Sequence, residues 1–181
     1  MSALSSRQPV FEERSRRPRP VFIADFIHIA APFPDVAHVM LHSPDEWLSQ
    51  LGEDPPRNHE SLRRHDDSYV LVMDVGPSCR LASLPVHLTV DRARSSDDCV
   101  ITPVAWTSDI WSPLLPDLEG DLLLTALDED GAASRLGLHG RYAVPLAEVG
   151  RAVDKLAMHR VAEATIRRFL REASDALLAS A

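Results

Sequence analysis

The stretch HGRYAVPLAEVGRAVD, His139 to Asp154, changes its period halfway along. Up to Val144 it alternates as a strand does; Pro145 then closes the strand, and from Leu146 the apolar residues return at helical spacing. In the strand half, Leu136, Leu138, Gly140, Tyr142 and Val144 share one face, while Arg135, His139 and Arg141 share the other. The His-Arg-Tyr cluster therefore divides: Tyr142 points inward and its two basic neighbours point to solvent. A last strand that leads into a long amphipathic helix must bring an apolar sheet face and an apolar helix face together.

The helix half runs almost to the C-terminus, but its apolar face shifts. Val149, Val153 and Leu156 lie within about 60° of one another at ~100° per residue. After them the line becomes Met158, Ala162, Ile166, Phe169, Leu170, Ala173 and Leu177, more than a quarter turn away. Either a bend falls near Leu156–His159 or the first two turns pack on something different from the rest; the bend is the favoured reading, with one section from Leu146 to about residue 157 and a longer one to about residue 179.

Upstream, VFIADFIHIA (Val21–Ala30) reads as a strand with apolar residues on both faces, so both faces are expected to be covered. PDVAHVML is a short helix. Ser43-Pro44-Asp45-Glu46 starts a second, with Ser43 as N-cap, Trp47, Leu48 and Leu51 buried, and Gly52 as stop. The polar run Glu53–Asp67 is a loop. YVLVMDV (Tyr69–Val75) is a strand, and from Ala82 to Val90 apolar and polar residues alternate strictly. The turn 95–98 leads into CVITPVAWT (Cys99–Thr107), and Pro85 and Pro103 mark bulges or edge positions. Asp121–Asp128 and Arg135–Val144 form a hairpin. The simplest packing wraps a curved antiparallel sheet around the terminal helix.

Composition narrows the function classes. Of 181 residues, 45% are hydrophobic and 25% charged, the balance of a soluble globular chain. No apolar run approaches the ~20 residues of a membrane span, and the first twenty residues lack the apolar core of a signal peptide. Cys79 and Cys99 make neither a disulfide framework nor a metal knuckle, so a reducing cytoplasm is expected. Residues 1–19 form a basic arm expected to be disordered: five arginines against Glu12 and Glu13. The whole chain carries −8, so the body is strongly acidic and unsuited to nucleic acid.

The order of elements, the junction RYAVPLAEVGRAVD and the later HRVAEATIRRFLREA resemble the START-related, polyketide-cyclase-like superfamily (SRPBCC). Pro34 followed by Trp47, and Trp106 ahead of Leu114-Leu115-Pro116 and GDLLL, fit the same pattern. The resemblance covers residues 21 to 179. It implies an α+β helix-grip fold: a curved antiparallel sheet around a long C-terminal helix, two short helices after the first strand, and one domain over residues 20–181. It also implies a hydrophobic cavity rather than a particular reaction, because the superfamily includes lipid and sterol carriers, hormone receptors and aromatase/cyclases.

The expected ligand-binding residues are Leu84, Val86, Leu88, Trp106, Leu138, Tyr142, Met158, Ala162, Ile166 and Phe169. Trp106 and Tyr142 stand out because each joins a large apolar body to one polar handle. No catalytic residue, cofactor or metal is assigned. His38 and His42 stand four apart with Glu46 near, but HVMLH lacks the glutamate of a zincin. There is no nucleophile elbow, P-loop or G-x-G-x-x-G.

The leading expectation is thus a cytoplasmic binding or carrier protein for a lipid, isoprenoid or polyketide-like molecule. Its partner is that hydrophobic small molecule, with no nucleic acid and no membrane insertion, and with a homodimer left open. One alternative is a cyclase or dehydrase that uses Tyr142 with His28 or Asp25 as acid and base. The other is a non-catalytic interaction module with a vestigial pocket.

Overall fold

The computed structural model describes residues 20–51, 68–75, 82–107, 117–128, 130–143 and 152–181, with side chains placed for all of these except 68, 70–75, 82–84, 143 and 152–158. The N-terminal arm, Gly52, the 53–67 loop and Leu146–Arg151 fall outside the described residues. Strand β1 (Pro20–Ile29) is followed by helices α1 (Phe33–His42) and α2 (Pro44–Ser49). Then come β2 (Ser68–Val75), β3 (Ala82–Val90), β4 (Arg94–Ser96), β5 (Cys99–Thr107), β6 (Leu118–Ala126) and β7 (Ser134–Ala143), and finally α3 (Ala152–Ser180). Among the described residues every strand pairing is antiparallel, in the order β1-β7-β6-β5-β3-β2, with β4 also on β5.

Alternation decides what each strand buries. Val86 and Leu88 of β3, Val100, Val104 and Trp106 of β5, Leu118, Leu122 and Leu124 of β6, and Leu136, Leu138 and Tyr142 of β7 are all buried. Their intervening neighbours face outward; Arg135, His139 and Arg141 are exposed, as the alternation requires. Helix α3 lies on this inner face, packing on β1, β2 and β7 and against α1 and α2. It buries Ala162, Ile166, Phe169, Leu170, Ala173, Ala176 and Leu177, while Arg160, Arg167 and Arg171 remain exposed. Phe33, Val36, Ala37, Val39 and Met40 of α1, with Trp47 and Leu48 of α2 and Leu51 just beyond it, join the same core.

Local chemistry fixes the joints. Pro103 falls where β5 changes partners: β4 covers Cys99–Ile101 and β3 covers Val104–Thr107, so the missing proline N–H interrupts neither ladder. The β6–β7 turn contains Gly131 at φ 63°, a left-handed conformation that glycine adopts without steric cost. Asp128 accepts from Ala132 N–H at 2.7 Å, and Gly131 C=O accepts from Phe33 N–H at 2.8 Å, tying the turn to the start of α1. Buried Ser134 donates to Ala31 C=O at 2.8 Å. Tyr69 of β2 donates to Asp45 of α2.

Two expectations are corrected. The outer face of β1 is not covered: Phe22 is 78% and Phe26 55% exposed, because the layer of helices lies on the other side of the sheet. Strand β6 begins at Leu118 rather than Asp121, since Leu118 is an inward position between Trp106 and Tyr142. Ser43 occupies the N-cap of α2 as expected, without a side-chain capping bond, and Pro44 opens the helix. Helix α3 is assigned as one element from Ala152 to Ser180, with its described buried residues forming one stripe from Ala162 onward.

Candidate functional site

One row of inward side chains crosses the sheet at the end nearest the start of α3. The registers place Leu88, Trp106, Leu118, Tyr142 and Val21 directly side by side on β3, β5, β6, β7 and β1. Trp106 is 2% and Tyr142 3% exposed. Phe169 of α3 meets Trp106 edge-on, ring centroids 5.4 Å apart at 61°. Ala162 and Ile166, a turn or two before Phe169, are buried with it. The expected residues Val86, Leu88, Leu138, Ala162, Ile166 and Phe169 thus lie in the shared core with Trp106 and Tyr142. The side chains of Leu84 and Met158 fall outside the described residues.

Three polar groups interrupt this apolar surface. Tyr142 Oη lies 3.2 Å from His159 Nδ1, and His159 Nε2 lies 3.2 Å from Glu163 Oε1. A carboxylate only accepts, so Nε2 carries the hydrogen; Nδ1 of the neutral ring is then the acceptor, and the tyrosine O–H donates to it. The chain runs from a buried phenol to half-exposed groups, with His159 and Glu163 side chains 43% and 49% exposed. Burial, and then the Glu163 carboxylate, push the Tyr142 hydroxyl above its ordinary value, which keeps it a neutral donor.

Trp106 Nε1 is buried without a hydrogen-bond partner among the described residues, and so is Thr102 Oγ1, four residues earlier on the same inner face. An unpaired buried donor costs about 1–3 kcal/mol, which a bound acceptor recovers. Trp47 Nε1 and Thr125 Oγ1 are likewise unpartnered, but Trp47 belongs to α2 and Thr125 alternates with the inward residues of β6.

The residues proposed for acid and base chemistry are placed elsewhere. His28 is exposed on the outer face and stacks on Phe26 at 5.7 Å, so it does not face the core. Asp25 does alternate inward, but Arg167 Nε donates to its Oδ2 at 2.9 Å and Phe26 N–H to its Oδ1 at 2.9 Å. His38 and His42 stack at 4.6 Å, with His42 Nδ1 3.1 Å from His38 C=O. His159 and Glu163 were not singled out in the sequence. Their only local signal is the i,i+4 spacing on a helix, which gains meaning once Tyr142 is opposite.

A concavity of about 680 Å³ opens on the opposite side of the sheet, lined by Phe22, Ala24, Glu119, Asp121, His139 and Arg141 around Ile23, Gly120 and Gly140. Its rim includes the exposed Arg141–Glu119 ion pair at 2.7 Å. The buried polar groups of the inner row do not reach it.

No protein-family model and no curated protein matches the chain. Solved structures do. A conserved protein from Geobacillus kaustophilus superposes with a TM-score of 0.53 at 14% identity, over 88% of this chain and 97% of that one. Ara h 8.0201 gives 0.52 at 10% identity, over 89% and 99%. The di-domain aromatase/cyclase StfQ from the steffimycin biosynthetic pathway gives 0.51 at 15% identity, over 88% of this chain and 52% of that one. Likeness at these identities speaks to architecture. With its antiparallel sheet, paired short helices and long C-terminal helix, the chain has the helix-grip fold that it shares with these structures.

Proposed function

We propose that the chain binds an apolar small molecule, of lipid, isoprenoid or polyketide-like chemistry, between the inner face of the sheet and α3. The observation that carries this reading is the buried Trp106 Nε1, without a hydrogen-bond partner among the described residues, in the same otherwise apolar row as Tyr142 with Leu118 between them. A solely structural core would place carbon there, whereas a site for an oriented ligand needs a few fixed polar atoms on apolar walls. The ligand contacts would come from Leu84, Val86, Leu88, Trp106, Leu138, Tyr142, Met158, Ala162, Ile166 and Phe169. Binding without turnover is favoured over a cyclase that uses His28 or Asp25, since the first faces outward and the second is held by Arg167. Among the described residues no helix is long and apolar enough to cross a membrane.

Native mass spectrometry of purified protein, followed by a screen of long-chain alcohols, isoprenoids and aromatic polyketides, tests the reading. The expected result is a stoichiometric adduct that Trp106→Phe weakens about tenfold, the value of one buried hydrogen bond. Absence of any adduct across the screen, with the protein folded, overturns it.

A further inference from the structure

The Tyr142–His159–Glu163 chain does more than fill hydrogen-bonding needs, because it sets which way the buried hydroxyl points. With a neutral imidazole, Glu163 holds the hydrogen on Nε2 and the Tyr142 O–H is spent on Nδ1. The tyrosine oxygen then has only a lone pair left, on a side chain 3% exposed and bordered by Leu118 and Val21. With a protonated imidazole both ring nitrogens are donors. Nδ1–H points at the tyrosine oxygen, and the O–H is released to donate elsewhere.

We propose that Tyr142 is a reversible polar anchor whose direction is set by His159: the interior favours an apolar ligand ending in a hydroxyl when the imidazole is neutral, and one ending in a carbonyl when it is protonated. This rests on the interior binding site proposed above. The neighbouring charged groups on the described elements are few. Glu163 and exposed Arg160 lie on α3 itself, and Arg167, two turns along, is engaged by Asp25 of β1. From β7 the only ionisable group on the same face as Tyr142 is that hydroxyl itself; Arg135, His139 and Arg141 face the other side of the sheet. The change therefore runs through one imidazole, that of His159. No covalent step is involved: a single proton moves between solvent and His159, which is 43% exposed.

The test uses a matched probe pair, cyclododecanol and cyclododecanone, competing with an environment-sensitive naphthalene dye on the full chain. Measurements are made at about pH 8 and about pH 5, either side of the ordinary histidine range. At the higher pH the alcohol is expected to bind roughly tenfold more tightly than the ketone, and at the lower pH the ratio falls to one or below. His159→Gln removes the pH dependence, and Tyr142→Phe removes the preference while both probes still displace the dye. Equal affinities at both pH values, or a pH-dependent ratio that survives in His159→Gln, overturn the proposal alone. Displacement by neither probe at either pH overturns the interior site and the proposal with it.

Discussion

Gly120 and Gly140 stand opposite each other in the β6–β7 ladder, and a Cβ on Gly120 would lie 2.4 Å from the His139 carbonyl oxygen and 2.6 Å from Gly140 Cα. Both obstacles are backbone, so no rotamer change relieves the clash. The pair is the point where two strands approach more closely than side chains permit, one row from Trp106 and Tyr142.

Gly120→Ala should therefore cost about 3 kcal/mol or more, read as a lowered urea midpoint. Gly140→Ala, whose nearest contacts are Glu119 O at 3.0 Å and Leu118 Cδ2 at 3.3 Å, should cost less, about 1–2 kcal/mol. Gly137→Ala meets nothing nearer than 3.5 Å and should fall within about 0.5 kcal/mol of the parent. Equal costs at the three positions would contradict the close approach.

The Trp106–Phe169 contact joins sheet to helix at the candidate site. Phe169→Ala should cost about 3–5 kcal/mol, through lost burial and the cavity left behind. A double-mutant cycle with Trp106→Leu and Phe169→Leu should give a coupling of about 0.5–1.5 kcal/mol, the usual value of an edge-on aromatic pair. Additive losses would mean that the rings do not interact.

The Asp25–Arg167 pair should respond unequally to its two partners. Arg167 is 57% exposed and donates to a single group, so Arg167→Ala should cost about 0.5–1 kcal/mol. The Asp25 side chain is 18% exposed and also accepts from Phe26 N–H, so Asp25→Ala should cost about 1–2 kcal/mol. Thermal or urea unfolding of both variants in low and high salt checks this, and salt should shrink the difference between wild type and Arg167→Ala.

Stability should decline on the alkaline side. The folded chain holds the Tyr142 proton more tightly than the unfolded chain does, because its hydroxyl is raised by burial and by Glu163. This contribution is complete below the ordinary tyrosine value of about 10 and is lost as pH rises from there through the raised folded value. Cys99, raised by burial and then by Asp98, acts with the same sign from about pH 8.5 upward. Urea midpoints between about pH 8 and about pH 11 should fall, and in a Cys99→Ser background Tyr142→Phe should flatten the slope above about pH 10.

The inner face was legible in the sequence because a strand's side chains alternate with a period of two. Once Leu138 is inside, Tyr142 must be inside and His139 and Arg141 outside, whatever the rest of the chain does. The apolar line from Ala162 to Leu177 was legible for the same kind of reason, with the period of a helix. The covering of β1 was not. Apolar residues on both of its faces give no direction, and only the placement of the helices on one side left Phe22 and Phe26 exposed.

Periodicity orients side chains within an element but carries no information on which residue of another element will face them. Tyr142 and His159 are separated by 17 positions, and Asp25 and Arg167 by 142. Their meetings follow from the angle and depth at which α3 crosses the sheet, which the summed packing of the whole core decides. The sequence by itself determined a curved sheet, a gripped helix and an inward Tyr142. The tertiary structure decided that this hydroxyl meets His159, and that Trp106, across Leu118 in the same row, has an N–H without a partner among the described residues.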